Sequence, residues 1–123
     1  MPKASDRRQA GQAAEALARH HLEQQGLKLI ETNYRCRAGE IDLVMEDRGV
    51  IVFVEVRLRN NPAFGSGAES VDRRKQGKLT ATAQHYLQRH PRWAERPARF
   101  DVVAIGRQGS QHKIEWITDA FQA

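Results

Sequence analysis

The sequence predicts a single α/β domain in which a mixed β-sheet is covered by helices, in the order α-β-β-β-α-β-β. Three observations carry that prediction. Two segments, Gln9–Gln25 and the stretch after Ser70, space their apolar residues as amphipathic helices do. Three strand-like runs lie between them and two follow. The run from Val50 to Val56 is almost entirely apolar, the mark of a central strand covered on both faces. With 123 residues, 40% of them hydrophobic, the chain suffices for one core and is short for two, so 1–123 is read as one domain with its core at about 9–118.

In the first helix Ala10, Ala14, Leu17, Ala18, His21 and Leu22 share a face, and Gly26 stops it. A strand from Leu27 to about Arg35 follows, then a turn at Ala38-Gly39. EIDLVMED and VIVFVEVRLR are joined at Asp47-Arg48-Gly49 as in a tight hairpin. Asn60–Gly67, with Pro62, Gly65 and Gly67, reads as a loop. Ser70 is the expected N-cap, and Asp72 the expected first-turn acid, of a helix running to about Arg89, where His90-Pro91 ends it. RFDVVAI and KIEWIT are further strands separated by a Gly106–His112 turn. The second helix then serves as the crossover from the meander to a later strand.

No stretch approaches the roughly 18 apolar residues of a membrane helix, and MPKASDRRQAGQ lacks a signal-peptide run, so a cytoplasmic protein without a membrane partner is expected. Cys36, the single cysteine, has no intramolecular disulfide partner, and no zinc-type spacing is present. The adjacent His20 and His21, and His85 and His90, are not spaced as chelates and read as surface or border residues. Trp93 and Trp116 read as core or interface aromatics rather than base-stacking platforms.

The formal charge is +5, and it is unevenly placed. Arg57–Arg99 holds ten Lys/Arg against three acids, a balance of +7, leaving −2 for the remainder. Such a segment is either a phosphate-binding surface, to which Arg59, Arg73, Arg74 and Lys78 would contribute, or a solvated helix face.

Three charges stand where the pattern calls for apolar residues. Asp42 interrupts the second strand, Glu55 interrupts the third and shares a face with Ile51, Phe53 and Arg57, and Lys75 falls in the apolar stripe between Val71 and Leu79. Buried charges are costly unless paired or metal-bound, so these should meet one another or an ion. Counted from Arg48, Asp42 lies six residues before and Glu55 seven after, a mismatch that a bulge or unsymmetrical loop would absorb. Two converging carboxylates suit Mg2+ or Mn2+; the alternative is an ion network with Arg35, Arg57 or Lys75. Glu15 borders the apolar face of the first helix, where a solvated glutamate is the ordinary occupant.

The ordered blocks AGQAAEALARHHLEQQGLKLIETNYR, GEIDLV, VFVEVRLR, FGSGAESVDRRKQGKL and RFDVVAI resemble the bacterial YraN family, over about Gly11–Ile105. That family in turn resembles the PD-(D/E)xK nucleases and archaeal Holliday-junction resolvases. The resemblance implies a restriction-endonuclease-like fold and a metal-dependent DNA endonuclease acting on branched or single-stranded DNA. It implies catalytic roles for Glu15, Asp42, Glu55, Arg57 and Lys75, with Asp42 and Glu55 holding the metal. The pattern is broken at Arg57, where the family's half-motif has a lysine two residues after the glutamate. Arginine keeps its proton and serves only as cation and donor. The alternative is therefore a non-catalytic nucleic-acid-binding protein that retains the fold, and either form leaves room for a homodimer.

Overall fold

The computed structural model describes residues 4–59 and 71–122. Helix α1 (Ala4–Gln24) leads into a meander of β1 (Lys28–Cys36), β2 (Gly39–Asp47) and β3 (Val50–Arg59). Helix α2 (Arg73–Arg89) and the short α3 (Pro91–Ala94) follow, then β4 (Ala98–Gln108) and β5 (Gln111–Phe121). The five strands lie in sequence order, antiparallel except for the parallel β3–β4 pair that α2 connects. This is the predicted mixed sheet, with β3 at its centre and a helix on either face. Among the described residues no helix is long and apolar enough to cross a membrane.

Strand periodicity sends alternate residues of β3 to opposite faces. Val52 and Val54 join Ala14, Ala18 and Leu22 of α1, while Ile51 and Phe53 join Leu79, Ala83 and Tyr86 of α2. Each fully buried Leu or Phe of this kind contributes about 1.5–3 kcal/mol of transfer free energy.

Several boundaries differ from the sequence expectation. Helix α1 begins at Ala4 rather than Gln9, because ASDRR contains no helix breaker even though it carries no apolar stripe. The expected Ser70 cap and the Asn60–Gly67 loop lie outside the described residues, and the N-cap of α2 is Asp72, whose carboxylate accepts from Lys75 N at 2.8 Å. Asp72 thus closes the helix end rather than sitting in its first turn. Pro91 opens α3 as well as closing α2, since its fixed φ suits a first helical position. The hairpin of β4 and β5 is longer than expected and turns only at Gly109-Ser110, with Gly109 at φ 65°.

The β2–β3 turn has two residues, Arg48 and Gly49, at φ 50° and 89°. Positive φ at both positions is the turn geometry that matches strand twist. Its register runs from Asp47↔Val50 to Leu43↔Val54, and the next pair in that register is Asp42 with Glu55. The mismatch counted from Arg48 disappears because the hairpin's centre lies between Arg48 and Gly49. No bulge is needed to bring the two carboxylates face to face.

Candidate functional site

Beyond Leu43 and Val54 the side chain of Asp42 takes over from the backbone ladder, its Oδ2 accepting from Val56 N at 2.8 Å. This places a carboxylate in the notch between β2 and β3. Burial pushes the Asp42 carboxyl up to about 8, the adjacent Glu55 carboxylate pushes the same way and Glu15 adds to it, while the Val56 N–H works in the opposite direction. The Asp42 and Glu55 carboxyl groups lie within hydrogen-bonding reach of one another. Near neutral pH the ion-free pair therefore retains a proton.

Glu55 is 7% exposed, yet among the described residues its Oε2 accepts no hydrogen bond. Lys75 of α2 brings Nζ to 3.6 Å from that oxygen, close enough for charge attraction and too far for a good hydrogen bond. The sequence-predicted residues Asp42, Glu55 and Lys75 thus meet, and part of the expected alternative, a carboxylate–lysine pair, is present in the same arrangement.

Glu15 approaches from α1. Its Oε1 accepts from Asn33 Nδ2 at 2.9 Å, and the same amide reaches Glu40 Oε1 at 3.3 Å. Asn33 adopts φ 51°, a left-handed conformation that asparagine tolerates better than most residues and that strands rarely contain. Together with Thr32 and Leu43, Glu15 and Asn33 line a groove of about 360 Å³. Asn33 and Glu40 are site residues that the sequence reading missed. An asparagine in the middle of a strand was the available signal.

A second cleft, of about 370 Å³, is lined by Arg57, Asp72, Arg74, Lys75 and Lys78. Its four cations come from β3 (Arg57) and from α2 beyond the Asp72 cap (Arg74, Lys75 and Lys78), and Lys75 ties the cleft to Glu55. Of the other expected phosphate contacts, Arg73 is exposed at the start of α2 and Arg59 ends β3; neither lines this cleft.

Among the described residues no group of three or more His, Cys, Asp or Glu is arranged to hold a metal ion. The donor set that is present consists of two carboxylates, one with an unoccupied buried oxygen. It fits Mg2+ or Mn2+, which take one or two carboxylates and complete their shells with water and phosphate oxygen. The remaining candidates have structural roles. Cys36 is half-buried, His85 bonds to Tyr34 OH, His90 stacks on Tyr86, and Trp93 lies under Arg92 and Arg96.

Comparison with known proteins places these residues in a family. The model described as uncharacterised protein family UPF0102 matches residues 14–105. A UPF0102 protein of Stutzerimonas stutzeri (strain A1501) is 52% identical over 119 residues, covering 97% of this chain and 99% of its own. One from Nitrosococcus oceani is 48% identical, covering 98% of this chain and 97% of its own. Among solved structures, Pyrococcus furiosus SfsA in complex with Ca2+ aligns with a TM-score of 0.36 and 14% identity, over 90% of this chain. The chain spans 63% of the length of that structure.

Proposed function

We propose that this chain, which belongs to the uncharacterised protein family UPF0102, is a magnesium-dependent endonuclease that hydrolyses phosphodiester bonds in DNA, with branched or single-stranded DNA as its preferred substrate. The observation that carries the reading is the Asp42–Glu55 pair, two crowded carboxylates with an unsatisfied buried oxygen, opening beside a cleft of four cations. Hydrogen bonds leave this pair only partly satisfied, which supports reading it as a cation site.

Asp42 and Glu55 would hold the ion, which when bound neutralises phosphate charge and lowers the pKa of water. Arg57, Lys75 and Lys78 hold the phosphate in the cleft and stabilise the charge that develops on its oxygens. Glu15, fixed by the Asn33 amide, is placed to orient a water molecule. An arginine serves only as cation and hydrogen-bond donor, so the role of the basic group falls to Lys75, half-buried beside Glu55.

The rival reading, a nucleic-acid-binding protein without turnover, is favoured by one observation, the arginine at position 57. Single-turnover cleavage of branched and linear DNA in Mg2+ and Mn2+ separates them. An endonuclease cleaves only with the ion and loses cleavage in Glu55→Ala. If the natural protein and Arg57→Lys both bind DNA but neither cleaves any substrate, the binding reading replaces the enzymatic one. If Lys75 carries the proton-moving role, Lys75→Ala costs more rate than Arg57→Ala.

A further inference from the structure

A groove of about 570 Å³ lies away from the carboxylates, between the β1–β2 turn and the C-terminal half of α2. Arg35, Arg37 and Arg89 line it with His85 and Cys36, and no carboxylate of the described residues does so. Arg37 and Arg89 are exposed, and Arg35 is 74% exposed at its side chain, with only a peripheral ion pair to Glu40 at 3.4 Å. At that exposure the pair leaves the guanidinium accessible to another anion.

The groove is a built feature of the fold. Gly39, at the foot of the turn, sits so close to α2 that a Cβ there would lie 3.3 Å from Thr82 Oγ1 and 3.7 Å from Lys78 Cβ. Glycine lets the turn dock on the helix, and the docked turn forms one wall. Opposite it, Tyr34 OH bonds to His85 Nδ1 and fixes that ring.

The same face of α2 continues from this groove to the cleft beside Glu55. Arg74 and Lys78 line the cleft, and Ala81, His85 and Gln88 line the groove. Their spacings of four, three, four and three residues form one helical stripe. At 1.5 Å per residue the stripe is about 21 Å long, enough to span several consecutive phosphates of one strand.

We propose that this stripe is a track for one nucleic-acid strand, and that Arg35, Arg37 and Arg89 grip its phosphates at the end remote from the carboxylates. The inference rests on the nuclease reading for the choice of ligand, and it adds a substrate-holding site in which Arg35 and Arg37, from outside the basic segment of the sequence, join Arg89. Three guanidiniums match phosphate oxygens in geometry as well as charge, and Gln84 and Gln88 on the same wall supply neutral hydrogen bonds. A strand lying there covers Cys36, the protein's single cysteine, which serves as a built-in reporter.

The test is binding of a labelled single-stranded DNA roughly twice the length of the stripe, with divalent ions chelated, across a salt series. The triple variant Arg35→Glu/Arg37→Glu/Arg89→Glu should weaken binding roughly tenfold or more near 0.1 M salt, and the slope of log K against log salt should shrink by about 2 for three lost contacts. In the natural protein, saturating DNA should slow alkylation of Cys36. A triple variant that is folded and matches the natural affinity and slope overturns the track while leaving the nuclease reading intact. If the variant does not fold, Cys36 decides alone, and alkylation at an unchanged rate under saturating DNA overturns the track. A natural protein that binds no DNA overturns both.

Discussion

Asp101 and Glu55 are buried carboxylates on adjacent strands, and their surroundings differ at every oxygen. Asp101, with no exposed surface, accepts from Arg99 Nε at 3.0 Å and Asp119 N at 2.9 Å on Oδ1, and from Trp116 Nε1 at 2.9 Å and Arg99 Nη2 at 3.2 Å on Oδ2. Arg99 also reaches Asp47 Oδ2 at 3.0 Å; burial opposes its charge, but the Asp101 and Asp47 carboxylates hold its pKa above the ordinary value. A register shift between Phe100 and Val102, with Asp119 at φ 52°, turns the Asp119 N–H inward to complete the set. Glu55 has a lysine at 3.6 Å, a second carboxyl beside it and an oxygen that accepts nothing among the described residues. A saturated carboxylate fixes structure. A crowded and unsaturated one is the feature on which the proposed cation site rests.

The comparison breaks first under substitution. Asp101→Ala takes one of two carboxylates from the half-buried Arg99 guanidinium and leaves an indole N–H and a backbone N–H without their acceptor, so chemical denaturation should show a loss of about 3–5 kcal/mol. Asp42→Asn and Glu55→Gln remove like-charge crowding, and their stability without metal should equal or exceed that of the natural protein. A large destabilisation by either would class the pair with Asp101 as structural.

Divalent ions sharpen it. Mn2+ at about 100 times its Kd should stabilise the natural protein by about 2.7 kcal/mol, read as a rise in Tm, and should leave Glu55→Gln unshifted.

The dependence on pH runs in a fixed direction. The Asp42 carboxyl is raised from 3.8 to about 8, chiefly by burial. A raised folded-state value means that this contribution to stability is complete below about pH 4, declines as the pH rises and is gone above about pH 8. Asp42→Asn should flatten that decline in urea titrations of the ion-free protein. The smallest expected effect is that of Asn33→Ala, about 0.5–1.5 kcal/mol from the lost amide bonds, with a drop in cleavage rate if Glu15 orients water.

The central hairpin and its two carboxylates were legible because a charge between two apolar neighbours is conspicuous, as Asp42 between Ile41 and Leu43 and Glu55 between Val54 and Val56 are. Lys75 was legible because helical spacing put it between Val71 and Leu79, both buried in the fold. Asp101 interrupts its strand in the same way and went unread. Its partners come from a bulge in β5 and from the start of β4, which no local pattern announces. Asn33 was hidden because its role depends on an unusual φ and on a glutamate eighteen residues away. The groove at Arg35 and Arg37 exists only once Gly39 docks on α2, a tertiary event that charge counting along the chain does not contain.

Titration of the natural protein with Mn2+ at pH 7, following free Mn2+ by its electron paramagnetic resonance signal and proton release by calorimetry in two buffers, tests the cation-site account most directly. The account predicts that Mn2+ binds with release of about one proton, because the ion displaces the one that the carboxylate pair retains, and that Asp42→Asn and Glu55→Gln lose both signals. Mn2+ binding that is absent, or that survives unchanged in Glu55→Gln, would contradict it.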